Sequence, residues 1–269
     1  MVPAGLRGRR DRPFVGRGAG GAGLPCRGLP AFRCTRAEFD RLEHGEEKHF
    51  LPGGNPYRAT TRTRCWKWPI TACARTLASP TSKPGVIGHS FGGLLTQIVA
   101  GRGLSAASVA IDAAPFPGVL PLPISSLKAA KPVLGNPANR HRAVPLTYDQ
   151  FRFASANAVS EKEAHELYDT FAVPASGVPL FQAAAANLNP WSEAKVDTHN
   201  PARGPLLIIS GEKDNTVPRA ISEAAYKQQH KNPGITEFVE VPGRGHALTI
   251  DSGWREVAGT ALAFVQRFV

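Results

Sequence analysis

The chain has 269 residues and a formal net charge of +11, from 32 Lys and Arg against 21 Asp and Glu. That length accommodates a single α/β domain with insertions, and no run approaches the roughly 18 uninterrupted apolar residues of a membrane-spanning helix. The basic charge is scattered among Gly and Pro without aromatic interleaving or a helical stripe, which argues against specific nucleic-acid binding.

The front of the chain differs from the rest. Residues 1–85 carry 16 Lys and Arg against 6 Asp and Glu, hold only 13 Val, Ile, Leu and Phe, and contain all four cysteines, Cys26, Cys34, Cys65 and Cys73. So few large apolar side chains under so much charge cannot offset the entropy of ordering. Residues 1–84 are therefore expected to be disordered, or an aberrant start such as out-of-frame translation of a related gene. The cysteines do not fall at zinc-knuckle spacing, and disulfides have no support. Arg9-Arg10 is not followed by the apolar core of an export signal, so a cytoplasmic location is expected.

From Gly85 the sequence reads as alternating strands and helices. Val86 and Ile87 lead an apolar strand into Gly88-His89-Ser90-Phe91-Gly92-Gly93, and Leu94, Leu95, Ile98 and Val99 predict a buried helix that Gly101 and Gly103 stop. Ala107 to Ala113 reads as an interior strand of a parallel sheet. Residues 114–204 break this rhythm with prolines and short helical patterns, which predicts an inserted helical cap. Thr147 with Gln150 and Ser160 with Glu163 fit capping boxes, and Ala164, Leu167, Tyr168 and Phe171 follow on one helical face. The aromatics Phe151, Phe153, Phe171, Phe181 and Trp191 serve either as apolar pocket lining or as ordinary packing. Strands are predicted at Pro205 to Ser210 and Thr236 to Val241, with a helix over Ala220 to Gln229 between them. A final amphipathic helix carries Trp254, Val257, Ala261, Phe264, Val265 and Phe268.

The sharpest chemical signal is Gly88-x-Ser90-x-Gly92 between a strand and a helix. A serine in so tight a turn needs small residues two positions away on either side. The turn also sets Ser90 at the positive end of the following helix, with the Phe91 N–H available to an oxyanion. A serine hydroxyl needs a neutral imidazole to take its proton. His246, in the glycine-rich turn after the last strand, is the candidate base, while His89, next to Ser90, is expected to point away from it. His44 and His49 belong to the front segment, and His141, His165, His199 and His230 read as solvated surface. Asp214, following the Pro205 to Ser210 strand, is the candidate acid; Asp112, at the end of the preceding strand, is the reserve, and a plain turn role for Asp214 stays open.

The stretches GHSFGG at 88–93, GEKDNTVP at 211–218 and GRGH at 243–246, in that order, resemble the α/β-hydrolase superfamily over about residues 85–269. The resemblance implies an α/β fold with a mostly parallel sheet flanked by helices and an active site beneath a cap. It also implies neither metal nor organic cofactor, and small-molecule ester or related acyl substrates cleaved by Ser90, His246 and Asp214. Serine rather than aspartate at position 90 argues against the dehalogenase and epoxide-hydrolase branches. Members of the superfamily bring about four strands and an early His-Gly turn that donates a second oxyanion N–H; here those strands are missing or degenerate. His44-Gly45 has no apolar strand leading into it, so the second donor is unassigned. An inactive remnant or binding protein with the same fold, and a lyase or lactonase using the same residues, are the competing readings.

Overall fold

The computed structural model describes residues 83–269 apart from residue 190. The expectations for the basic front segment, its cysteines, His44-Gly45 and His49 lie outside the described residues.

Strand β1 (Gly85–His89) runs through Ser90 into helix α1 (Phe91–Gly101), and the chain returns in β2 (Ala107–Ile111). Next come α2 (Ile124–Leu134), a 3₁₀ turn (Pro137–His141), β3 (Ala143–Val144), α3 (Tyr148–Ala154), α4 (Glu161–Phe171), β4 (Ala175–Ser176) and α5 (Val178–Ala185). A second 3₁₀ turn (Ala186–Leu188) precedes β5 (Leu206–Gly211), α6 (Arg219–Gln229), β6 (Thr236–Val241) and α7 (Trp254–Val265).

The main sheet has the order β1-β2-β5-β6, and every pairing is parallel. Its two middle strands, β2 and β5, are buried along their whole length. That matches their runs of Ala, Val, Ile and Leu, interrupted only by Ser108 in β2 and ending in Ser210-Gly211 in β5, the pattern of strands covered on both faces. One face carries Val109, Ile111, Leu207 and Ile209 against Val257, Ala261, Phe264 and Val265 of α7. On the other side, Leu94 and Ile98 of α1 meet Ile221 and Ala225 of α6, with Phe116 and Val217 between them. The apolar stripes of α1, α6 and α7 thus seal both faces of the sheet.

Strand β2 stops at Ile111, two residues before the predicted end. The cause is Asp112, whose φ of 39° turns the chain out of the sheet, while its Oδ1 accepts a hydrogen bond from Gly211 N at 2.8 Å.

Between β2 and β5 lie the four helices α2 to α5 and a short antiparallel ladder, β3 with β4, that the sequence did not signal. Two residues per strand leave no periodicity to read. Both halves of the Thr147 capping box form: Thr147 Oγ1 accepts from Gln150 N, and Gln150 Oε1 accepts from Thr147 N at 3.0 Å. At Ser160 only one half forms, with Ser160 Oγ accepting from Glu163 N, because the Glu163 carboxylate instead accepts from Ser252 N. That exchange ties α4 to the segment before α7. Phe151, Ala164 and Leu167 make a separate cap core with Ala247, against which Tyr168 and Phe171 pack. Phe151 and Phe171 are therefore packing residues, and Trp191 is exposed.

Candidate active site

Ser90 adopts φ 55° and ψ −120°, in the left-handed half of backbone space that side chains avoid. Three hydrogen bonds hold it there: Ser90 N donates to Ile111 O at 2.9 Å, while Ser90 O accepts from Leu94 N at 3.1 Å and Ala114 N at 2.9 Å. A Cβ on Gly88 would collide with the backbone of Gly92 and with Thr96 Oγ1. The glycine at that position is therefore dictated by the close approach of strand and helix. Phe91 is the first residue of α1, at the end from which helical N–H groups project.

The carboxyl ends of β5 and β6 bring Asp214 and His246 to the same edge. Ser90 Oγ lies 3.0 Å from His246 Nε2, and His246 Nδ1 lies 2.6 Å from Asp214 Oδ2. His246 is 8% and Asp214 3% exposed, so the chain hydroxyl to imidazole to carboxylate is shielded from water on its acid side. The turn role of Asp214 is realised as well. Its Oδ1 accepts from Thr216 N at 2.7 Å and Val217 N at 2.9 Å, while Oδ2 serves His246. Burial alone would raise the pKa of Asp214, but the His246 ring, its hydrogen bond, and further bonds from Val217 and Asp112 together hold it below the usual range.

Asp112 sits beside this group, fully buried, and does not contact His246 by hydrogen bond. Its carboxyl shares a side-chain hydrogen bond with that of Asp214. Burial, followed by the Asp214 charge, pushes its carboxyl well above the ordinary range, against the pull of the Gly211 N–H. That environment favours the acid form over the carboxylate.

The end of α3 clasps both site loops, which the sequence did not reveal. Asn157 Nδ2 donates to Lys213 O at 2.7 Å, Thr216 Oγ1 to Ala154 O at 2.7 Å, and Asn215 Nδ2 to Phe153 O at 2.9 Å. On the base side Ala247 N donates to Ser155 O at 2.9 Å. The two loops are joined directly by Lys213 N donating to Arg244 O at 2.8 Å, and Arg244 is paired with Asp251. The Asn-Thr pair after Asp214 was the available signal, since such side chains in a turn seek backbone partners. The open cleft between α4 and the start of α7, lined by Glu163, Glu166, Ser252 and Arg255, includes none of Ser90, Asp214 or His246.

His89 is a packed neighbour of this group. Its ring packs on that of His246, with centroids 4.6 Å apart and planes inclined at 44°. Its Nε2 is enclosed with no partner among the described residues. Burial, reinforced by His246, lowers its pKa from the ordinary 6.5 to about 3, outweighing the Asp214 charge. Below pH 6.5 the unfolded chain takes up a proton at His89 that the native state refuses until about pH 3, so stability falls as pH drops through that window. At about pH 4.5 this one group costs the native state roughly 2–3 kcal/mol. Urea unfolding at neutral pH and at about pH 4.5 is expected to show a smaller acid loss in His89→Gln than in the parent. An identical loss in both would assign the acid sensitivity elsewhere.

His89, Asp112 and His246 each place one possible ligand atom within 4.8 Å of the others. Both ring nitrogens of His246 are already engaged, so a cation held there would take the ring from Ser90 or Asp214. Among the described residues no helix is long and apolar enough to cross a membrane.

A family model described as the alpha/beta hydrolase family matches residues 15–260, a range that begins upstream of the Gly85 start of the sequence resemblance. Among solved structures the chain is similar to esterase E22, at 14% identity and a TM-score of 0.52 over 81% of this chain and 70% of that one. It is similar also to a pyrethroid hydrolase from Sphingobium faniae JZ-2, at 18% identity and a TM-score of 0.50 over 80% of this chain and 82% of that one. A bromoperoxidase from Bacillus anthracis is 17% identical with a TM-score of 0.50 over 75% and 74% of the two chains. At these identities the likeness is one of fold. No curated protein sequence matches the chain.

Proposed function

Because the chain belongs to the alpha/beta hydrolase family, we propose that it is a serine hydrolase that cleaves carboxylic esters or related acyl substrates through an acyl-enzyme on Ser90. The observation that carries this reading is the pair of hydrogen bonds at 3.0 and 2.6 Å linking Ser90 to His246 and His246 to Asp214. His246 Nε2 accepts the hydroxyl proton as Ser90 Oγ attacks the ester carbonyl. Asp214 holds the Nδ1–H tautomer and favours the imidazolium as it forms. The Phe91 N–H, at the positive end of α1, meets the oxyanion. The tetrahedral intermediate collapses as His246 returns its proton to the departing alcohol. Water, activated by the same ring, then attacks the acyl-enzyme and releases the acid.

The reading keeps the expectation of a cytoplasmic enzyme that uses neither metal nor organic cofactor. A fluorophosphonate probe reacts only with an activated serine, so it tests the proposal directly. Incubated with the full chain, it is expected to label the peptide containing Ser90, with no label in Ser90→Ala. A folded protein that takes no label would be a hydrolase-fold protein without the activity. Labelling without release of an acid from any ester would instead favour a lyase.

A further inference from the structure

Helix α2 is eleven residues long and contains no buried residue. Its exposed positions are Ile124, Leu127, Lys128 and Lys131, spaced i, i+3, i+4 and i+7, which places them on a single face. The apolar side chains of this face therefore point outward. Ile124 is 84% and Leu127 47% exposed, and the segment leading in adds Leu120 at 77% and Leu122 at 68%. Leu120, Leu122 and Ile124 alternate outward along that segment, so the aliphatic ridge continues from it into the helix. Large aliphatics grouped in this way mark a contact surface rather than the scattered exposure of an ordinary surface.

Charge points to the occupant. No Asp or Glu occurs between Asp112 and Asp149, a stretch that contains Lys128, Lys131, Arg140, His141 and Arg142. Residues 86–269 as a whole carry 16 Lys and Arg against 15 Asp and Glu, so outside this stretch the region is net acidic. Basic charge is thus gathered beside the aliphatic ridge. Arg140, His141 and Arg142 are exposed, on or just after the 3₁₀ turn that packs against α2. Lys128 Nζ lies 4.0 Å from the centre of the Phe153 ring, at the side of the ridge.

We propose that this face of the cap docks the protein on an anionic phospholipid surface, with Leu120, Leu122, Ile124 and Leu127 entering the headgroup boundary and the flanking Lys and Arg meeting the phosphates. Branched aliphatics beside basic heads suit the depth profile of such a boundary, since the apolar ends bury while the cations stay at phosphate level. Stacking aromatics, which a single-stranded nucleic acid would use, are absent from the ridge. The inference concerns binding alone and does not depend on the role of Ser90.

The test is co-sedimentation of the full chain with vesicles of phosphatidylcholine, with and without phosphatidylglycerol. Binding is expected to the mixed vesicles only, to weaken with salt, and to fall about tenfold or more in Leu122→Glu with Ile124→Glu. Both positions are exposed, so turnover of a soluble short-chain ester is expected to be unchanged in that variant, and a failure of docking is distinguishable from a failure of the hydrolase reading. Equal binding to both vesicle types, or none, would overturn the proposal. Binding that survives the double substitution would belong to the basic residues before Gly85 and would overturn it too. Concentration-dependent dimerisation lost in the same variant would make a second copy of the chain the occupant instead.

Discussion

Ser90→Ala is expected to lower kcat/KM for a short-chain aryl ester by a factor of about 10³ or more, without loss of fold. The substitution removes the attacking oxygen and leaves the His246–Asp214 pair and the backbone donors in place. It should be structurally mild, because Ser90 makes no side-chain cap bond to α1, so no cap is lost. The backbone at φ 55° is set by Ser90 N and O, whose hydrogen bonds to Ile111, Leu94 and Ala114 an alanine retains. Initial rates with purified parent and variant, alongside their thermal unfolding, provide the comparison. Undiminished turnover with an unchanged melting temperature would end the covalent mechanism. A loss of activity matched by a loss of fold would be uninformative for the parent, which is why the probe labelling of Ser90 stands beside it.

What the sequence made legible follows from the range of the forces involved. The strands β1, β5 and β6 and the helices α1, α6 and α7 could be read because each buries apolar side chains, which leave a one-face stripe in the helices and a continuous apolar run in β5. The Thr147 cap could be read because both partners lie within four residues. The end of β2 could not, since Asp112 leaves the sheet to meet Gly211, a residue from another strand. The clasp of α3 on the two site loops was equally hidden, because Asn157 to Lys213 and Thr216 to Ala154 are contacts between distant residues with no repeating pattern. The partner of His89 was hidden for a related reason. The ring it packs on, that of His246, arrives from the loop after β6, far along the sequence. The outward ridge on α2 was in the sequence as a helical pattern, yet an apolar stripe ordinarily faces inward, so only the fold reveals its direction.

The two carboxylates proposed as alternatives for the acid lie together at the sheet edge, and their substitutions are expected to behave differently. Asp214→Asn should lower kcat by about 10⁴, because an amide in place of Oδ2 no longer enforces the Nδ1–H tautomer or supports the imidazolium. Asp112→Asn should leave activity within about tenfold, because the burial that favours the uncharged form of Asp112 suits an amide equally well. Burial and the charge of Asp214 push the Asp112 carboxyl upward and favour the acid form, which donates toward Asp214, and an asparagine amide can supply the same donor while its oxygen still accepts from Gly211 N. Asp112→Ala removes both functions and leaves the Gly211 N–H buried without an acceptor, which should cost about 1–3 kcal/mol of stability. The ordering Asp214→Asn far below Asp112→Asn in kcat, with Asp112→Ala below both in melting temperature, is the expected pattern. The reverse ordering in kcat would make Asp112 the residue that orients His246, reached by a swing of the ring away from the 2.6 Å bond to Asp214.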